Sequence, residues 1–273
     1  MAEIRPDEFF ELIWGRAPEG GWVTLATFPG AGKFRQGAGP TREAWFQWPQ
    51  QKEDLLATVG QYQDADLYFS PMVYKSRAQH KTDPQTKNKI RTGGRRKDNA
   101  IWVGSVYADA DTCDPSKFKV KPSITVETSE GRYHTYWILD EPSGDIQEAT
   151  KTGRVIAYAH ADDGCDLGGW DVTQLLRVPS TTNNKRTPYT VSAETSGQVY
   201  KIEELQEAYP LGSVEEERYT EPSDMPKDLP TTVQAMAQVS GIEGVTELLR
   251  VSQASEIHYG ESGGKIRHRL LRA

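Results

Sequence analysis

The chain has 273 residues, of which 39 are acidic and 32 basic, and it carries a formal net charge of −7 with a mean hydropathy of −0.67. A length above the usual single-domain size of about 100–150 residues predicts one large domain or a domain with an appendage. The apolar runs fall short of the roughly 18 residues of a membrane-spanning helix, and the first six residues contain no targeting segment. These features predict a cytoplasmic protein with no membrane partner.

Helix-like and strand-like segments alternate irregularly along the first 212 residues. Amphipathic spacing predicts helices at residues 7–14, 51–61, 145–161 and 202–208. Stretches rich in β-branched and aromatic residues predict strands at residues 21–27, 44–48, 66–74, 101–109, 123–127, 133–139 and 189–192. Because the strands come in consecutive pairs between helices, the pattern predicts an α+β fold with a mixed sheet.

Charge is distributed unevenly. Residues 75–97 contain nine basic side chains against the single acid Asp83 and few apolar residues, which predicts a loop. Residues 213–230 contain six acidic side chains, two basic ones and three prolines, which is typical of a linker. The apolar spacing that follows predicts two short helices, so residues 231–273 are expected to form a small helical C-terminal domain.

The cysteines and histidines give no sign of a zinc site. Cys113 and Cys165 are the two cysteines, too few for a disulfide framework or a four-cysteine metal site. The five histidines are far apart in the sequence. No zinc is therefore expected.

Two acidic residues, Asp109 and Asp111, follow the apolar run of the strand at residues 101–109. Because strand side chains alternate between faces, both are expected on one face, roughly 6–7 Å apart, and able to share a divalent cation. Mg²⁺ prefers such carboxylates together with phosphate oxygens. The alternative is that the two acids merely end the strand and that Asp111 caps the next turn.

A hairpin is predicted at residues 124–139, with Gly131 in its turn. His134 lies near the start of the returning strand, and Ser129 and Arg132 place further polar groups beside the turn. A lone histidine is more often structural than functional, but these neighbours are the donors that a phosphate group needs.

A third polar segment begins at Asp171 and continues through Arg177 to Lys185. Arginine and lysine are the natural partners of a triphosphate. The alternative is that Asp171 caps a helix beginning at Val172 and that both basic side chains face solvent.

Together these segments resemble the archaeo-eukaryotic primase superfamily, and within it the prim-pol domains of phage and plasmid replication proteins. Residues 109–111 are similar to the superfamily's first motif, residues 129–137 to the phage form of its histidine motif, and residues 170–185 to its third-acid segment. The wider family has serine two residues before the histidine, where this chain has Arg132. Asp163 and Asp166 compete for the third-acid role, but only Asp171 has the family's spacing to Arg177.

The resemblance implies a prim-pol catalytic domain at residues 1–212, with an RNA-recognition-like core and an N-terminal α/β unit. Its activity would be that of a DNA primase-polymerase, a nucleotidyltransferase of phage or plasmid DNA replication. Asp109, Asp111 and Asp171 would hold two Mg²⁺ or Mn²⁺ ions. The incoming nucleotide would be bound by a set of polar side chains, namely His134, Arg132, Ser129, Arg177 and Lys185.

The implied partners are a single-stranded DNA template with its primer, NTPs or dNTPs, and a helicase domain C-terminal to this one in a longer protein. The location would be the host cytoplasm if a phage encodes the chain. The basic stretch is the expected DNA contact, through Lys87, Lys89, Arg91, Arg95, Arg96 and Lys97. Its alternative is a solvated loop without a ligand.

Two other functions fit the same residues. A metal-dependent nuclease also uses three acids and two metal ions. The other is a non-catalytic, DNA-binding replication-initiator module, whose function EDTA would leave unchanged. Arg177 and Lys185, if they bind a triphosphate, favour synthesis over cleavage.

Overall fold

Four α-helices and fourteen strands make up most of the part of the chain that the computed structural model describes. That part comprises residues 2–28, 42–82, 89–143 and 145–212, with the backbone alone at residues 80, 81, 89–91 and 143. The helices are α1 (Pro6–Trp14), α2 (Lys52–Gln61), α3 (Ile146–Ala159) and α4 (Ile202–Ala208). The strands are β1 (Ala2–Glu3), β2 (Gly21–Phe28), β3 (Arg42–Trp48), β4 (Asp66–Phe69), β5 (Met72–Tyr74), β6 (Gln79–Thr82), β7 (Lys89–Thr92), β8 (Ala100–Asp111), β9 (Ile124–Ser129), β10 (Arg132–Ser143), β11 (Leu176–Arg177), β12 (Thr182–Asn183), β13 (Tyr189–Thr190) and β14 (Ser192–Thr195).

Ten strands form one sheet in the order β1-β14-β9-β10-β8-β5-β2-β4-β11, with β3 paired to β2. The α+β class is confirmed, but the sheet differs from the mixed sheet that the sequence predicted. Each pair of named strands in the described residues is antiparallel, and parallel pairing occurs there as an isolated bridge between Leu139 and Tyr200. Tight turns such as the one between β9 and β10 reverse the chain and permit only antiparallel pairing.

The helices lie within two residues of their predicted bounds. α1 begins with Pro6 in its first turn, followed by the acids Asp7 and Glu8, which suit a helix N-terminus. Asp145 caps α3, because its side chain accepts hydrogen bonds from two backbone N–H groups of the first turn.

The predicted strand at residues 66–74 is in fact two strands, β4 and β5. They are separated at Ser70 and Pro71, where proline cannot donate a ladder hydrogen bond. The predicted strand at residues 189–192 is likewise divided into β13 and β14, which pair with different partners. No sequence pattern predicted the very short strands β1, β11 and β12.

The basic stretch at residues 75–97 is more ordered than the loop expected from its composition. β6 and β7 pair as a two-stranded sheet, and a 3₁₀ turn follows at Lys97–Asn99. Main-chain pairing across a hairpin is local and needs no apolar side chains, so composition did not reveal it. Residues 83–88 lie outside the described part.

An aromatic core packs α1 against the sheet. Phe9 contacts the rings of Phe69 and Tyr136, and Trp14 contacts those of Phe10 and Phe69. All of these rings are fully buried. Burial of large apolar side chains contributes about 1.5–3 kcal/mol each, so this core fixes β10 and the neighbouring strands.

Helix α3 packs closely on β8. A side chain at Gly153 would place its Cβ 2.7 Å from the Tyr107 carbonyl oxygen, so glycine permits the close approach. β8 is thereby held on its α3 side just before the acid pair.

The predicted linker at residues 213–230 and the predicted C-terminal domain at residues 231–273 lie outside the described residues, and both stay predictions. The RNA-recognition-like arrangement of the core also stays a prediction. Within the described ranges, each helix is too short or too polar to cross a membrane.

Candidate active site

The acid pair lies at the end of the long strand β8. A bulge interrupts its pairing with β10, so that Asp109 lies opposite His134 and Asp111 opposite Tyr133. Asp111 also has a left-handed backbone conformation, with φ of 44°. The regular alternation that was expected to place both acids on one face is therefore broken at Asp111.

Arg132 on β10 is the direct partner of Asp111. Its guanidinium contacts the Asp111 carboxylate, and the two side chains are 32% and 41% exposed. Ser129 lies opposite Arg132 across the hairpin, whose Gly131 has φ of 67°. The hairpin thus brings Arg132 to the acid pair, in an exposed ion pair of the kind worth about 0–1 kcal/mol.

The segment that follows α3 closes over Asp109. The N–H of Asp166 donates to the Asp109 carbonyl at 2.9 Å, and the N–H of Asp109 donates to the Gly169 carbonyl at 3.2 Å. A Cβ at Gly169 would lie 2.2 Å from the Asp109 Cβ, so only glycine fits there. Burial, followed by the charges of Asp166 and Asp111, raises the pKa of Asp109 to about 7.

His134 is a buried, neutral imidazole beside Asp109. Burial, helped by the positive charge of Arg177, lowers the pKa of His134 to about 3. Its Nδ1 accepts the N–H of Arg177 at 3.4 Å, so the ring proton lies on Nε2. Nε2 is 3.8 Å from Asp109 Oδ1, which leaves this N–H aimed at the carboxylate site.

Arg177 does not occupy the position expected of a triphosphate ligand. Its Nη1 pairs with Asp66 Oδ1 at 2.7 Å, and the two side chains are 5% and 4% exposed. Its guanidinium carbon lies 4.5 Å from the centre of the Tyr68 ring. A guanidinium buried and paired in this way is committed to the core, so Arg177 serves His134 through its backbone N–H.

Asp171 is held by contacts of its own. Its Oδ1 accepts hydrogen bonds from the N–H and the hydroxyl of Thr173, at 2.8 and 2.6 Å, and its Oδ2 lies 3.2 Å from Lys97 Nζ. Burial raises the pKa of Asp171, but the bonds from Thr173 and the charge of Lys97 outweigh it and leave the pKa lowered. Asp171 is therefore an ionised carboxylate paired with a surface lysine.

Lys185 lies on the turn after β12, where its N–H donates to Asn183 Oδ1 at 3.0 Å. The side chain is exposed, and its positive charge opposes the rise in the Asp109 pKa that burial causes. The charge of Lys185 is thus felt at Asp109 across a long sequence separation, and its predicted role in nucleotide binding stays a prediction.

The basic residues predicted to contact DNA have different environments. Arg95 is largely buried, paired with Glu43 and donating to the Thr173 carbonyl, so it is structural. Arg96 and Lys97 are mostly exposed. Lys87 lies outside the described residues, and only the backbone is described at Lys89 and Arg91.

The structure contains a second group of potential metal ligands, which was not predicted from the sequence. Cys113, His160 and Asp163 bring their ligand atoms within 4.8 Å of one another. In the described ranges, Asp109, Asp111 and Asp171 do not approach that closely. The sequence positions of the cysteines and histidines gave no sign of this group, because the fold brings together residues that are distant in sequence. The spacing of His160, Asp163 and Cys165 was the available signal.

The donor set at the end of β8 suits a hard divalent cation. Asp109 and Asp111 offer carboxylate oxygens, and the charges of Asp166 and Asp111 contribute to the raised pKa of Asp109. Such crowding of like charges is relieved by a cation. The residues present therefore fit Mg²⁺ or Mn²⁺.

No protein-family model and no curated protein matches the chain. Among solved structures, the chain is similar to the AEP domain of the primase-polymerase of cyanophage S-2L, at 15% identity over 77% of this chain and 100% of that chain, with a TM-score of 0.48. It is also similar to the catalytic domain of primase RepB′ in complex with initiator DNA, at 16% identity over 75% of this chain and 94% of that chain, with a TM-score of 0.44. These two similar structures are a primase-polymerase domain and the catalytic domain of a primase.

Proposed function

We propose that this protein is a DNA primase-polymerase that performs template-directed nucleotidyl transfer from NTPs or dNTPs. One observation carries the proposal: a partly buried carboxyl, Asp109, lies beside Asp111 and faces the neutral imidazole of His134 across two paired strands. This arrangement combines oxygen ligands for a cation with an N–H donor for a phosphate group. The resemblance of the three motifs to those of prim-pol domains supports the same reaction.

Asp109, Asp111 and Asp171 are the residues that would hold the metal ions. Bound Mg²⁺ or Mn²⁺ would supply the Lewis acidity that activates a 3′-hydroxyl and stabilises the pyrophosphate leaving group. Asp171 is ionised and its partner Lys97 is 72% exposed, so this weak ion pair can be exchanged for a cation.

The remaining polar residues would bind the nucleotide. His134 donates from Nε2 to a phosphate oxygen, and the backbone N–H of Arg177 keeps its ring in the required tautomer. Arg132 is the partner of Asp111 and is free to turn to the triphosphate once that carboxylate is bound elsewhere. Lys185 and Ser129 complete the set, and their positive and polar groups offset charge that develops during transfer.

Single-stranded template and primer would lie along the basic stretch. Arg96 and Lys97 are two exposed cations of this stretch whose side chains the structure describes. Lys87, Lys89 and Arg91 are proposed to extend the contact. A helicase domain C-terminal to this one is proposed for the same replication role.

The decisive experiment offers single-stranded DNA, with and without a primer, together with labelled NTPs or dNTPs and Mg²⁺ or Mn²⁺. We expect products that lengthen, synthesis without a primer, and complete loss on adding EDTA. Asp109→Asn should abolish synthesis, whereas Asp162→Asn, at an exposed position in the turn after α3, should retain it.

Other outcomes would refute the proposal. Products that shorten would identify a nuclease, and DNA binding that EDTA leaves unchanged, without synthesis, would identify a non-catalytic initiator module. Within the proposal, Asp171→Asn tests the third carboxylate against Asp166→Asn, and the variant that abolishes synthesis marks the ligand.

A further inference from the structure

A group of thiol, imidazole and carboxylate side chains lies beside the acid pair. Cys113 follows Asp111 by two residues, and its Sγ, a ring nitrogen of His160 and a carboxylate oxygen of Asp163 lie within 4.8 Å of one another. Cys165 is a second buried thiol, outside this group of three but close enough to Cys113 for each thiol to affect the pKa of the other. Both cysteines are buried, and neither is in a disulfide bond.

The turn that ends α3 builds this group. The carbonyl of His160 accepts the N–H groups of both Asp163 and Cys165, each at 3.1 Å. This tight turn gathers three potential ligand side chains within six residues. Cys113 belongs to the segment that follows β8. A hydrogen bond from the N–H of Thr112 to the carbonyl of Gly164, at 3.4 Å, holds that segment beside the turn.

We propose that Cys113, Cys165, His160 and Asp163 form a binding site for a soft divalent cation, Zn²⁺, that is separate from the acid pair. Two thiolates, one imidazole and one carboxylate make a four-ligand set of the kind that zinc takes in tetrahedral structural sites. On binding, two S–Zn bonds replace two S–H bonds, and the two thiol protons pass to solvent.

The surroundings match such a site. Asp163 Oδ2 lies 2.9 Å from His160 Nδ1, so this nitrogen faces the ligand group, and His160 Nε2 lies 3.0 Å from the Tyr209 hydroxyl. Zinc-bound histidines usually donate their other ring N–H to an oxygen in this way. A Zn²⁺ ion with two thiolates and one carboxylate has a net charge of −1, and Lys117 Nζ, 2.7 Å from Asp163, neutralises it.

A metal here would act on the acid pair through the backbone. It would join the chain just after Asp111 to the turn just before Asp166, and the N–H of Asp166 donates to the carbonyl of Asp109. The site would therefore hold in place the two segments that position the proposed catalytic carboxylates, without contacting the substrate.

The test uses Co²⁺ as a spectroscopic substitute for Zn²⁺ on the full chain, stripped of metal under reducing conditions. We expect one equivalent of cobalt with the thiolate charge-transfer band and the intense d–d bands of tetrahedral coordination, and displacement of these bands by one equivalent of Zn²⁺. Zinc should also raise the thermal midpoint of the stripped protein.

Variants separate this site from its alternatives. Cys165→Ser and Asp163→Asn should lose or strongly weaken the bands, whereas Asp162→Asn and Asp109→Asn should keep them. Absence of thiolate bands in the folded wild type would overturn the proposal, and so would bands that persist in Cys165→Ser or that Asp109→Asn removes. Because circular dichroism monitors folding in each variant, a misfolded protein is not counted as a loss of binding.

Discussion

The Asp109 carboxyl is a proposed metal ligand, and its raised pKa means that its ionised form destabilises the metal-free fold. Burial, followed by the charges of Asp166 and Asp111, raises its pKa to about 7. The pKa of an aspartate in an unfolded chain is about 3.9. Between these two values the unfolded chain releases a proton that the folded chain retains. Stability therefore falls as pH rises through this window and the loss is complete above it.

From this we predict that Asp109→Asn abolishes synthesis and yet stabilises the protein in the absence of divalent cations. The increase in thermal midpoint should be small at pH 4 and largest at pH 8, where the wild-type carboxyl is charged. Thermal unfolding across this pH range measures it. A stabilisation that does not change with pH would show that Asp109 is not the group responsible.

Arg177 matches the third-acid segment of the superfamily, but its side chain is buried and it contacts the candidate site through its backbone N–H. Its guanidinium pairs with Asp66 in the core, and its N–H fixes the ring of His134. Asp66→Ala should cost about 3–5 kcal/mol, because it leaves a buried charge unpaired. Urea unfolding measures the loss. Asp64→Ala, at an exposed position two residues earlier, is the matched control and should have little effect.

At the scale of elements, the site depends on how closely the segment after α3 approaches β8. This segment meets β8 through main-chain hydrogen bonds at Asp166 and Gly169. The contact is made by backbone atoms, so it tolerates no added side chain at its closest point. The two adjacent glycines, Gly168 and Gly169, allow this to be tested.

Gly169→Ala should displace Asp109 and greatly reduce synthesis, because its Cβ would lie 2.2 Å from the Asp109 Cβ and 2.9 Å from its nitrogen. Gly168→Ala should be tolerated, since its Cβ would meet only the Asp166 carboxylate at 3.5 Å. Rates of primer extension for the two variants provide the comparison. Equal activity in both would show that the close approach does not position Asp109.

For the whole molecule, the net charge of −7 conceals a local basic surface. Arg96 and Lys97 are exposed beside the candidate site, whereas Arg95 is buried against Glu43. The salt dependence of DNA affinity should therefore be set by the few phosphates that these cations neutralise. The net charge of the whole chain should not set it.

The double substitution Arg96→Ala and Lys97→Ala should weaken single-stranded DNA binding and reduce the salt slope by about 0.7 for each phosphate that is no longer neutralised. Lys151→Ala removes an exposed lysine from α3 and is the control, with an unchanged slope expected. Fluorescence anisotropy at several salt concentrations measures both. A double variant that behaves like the control would place the DNA elsewhere.

The sequence by itself determined the features that depend on local patterns. Helical spacing located α1 to α4, and the run of β-branched and aromatic residues located β8 with the acid pair at its end. The turn at Gly131 located the hairpin that carries His134. These features follow from backbone preferences and periodicity over a few neighbouring residues, which is why they are readable without the fold.

Only the tertiary structure decided which distant groups meet. It pairs Arg177 with Asp66, presses Gly169 against Asp109, breaks the alternation at Asp111 with a bulge, and gathers Cys113 with His160 and Asp163. Periodicity describes one element at a time, whereas these contacts join elements that are far apart along the chain. Their formation depends on how the elements pack together, and so the chemistry of the site is set by the fold.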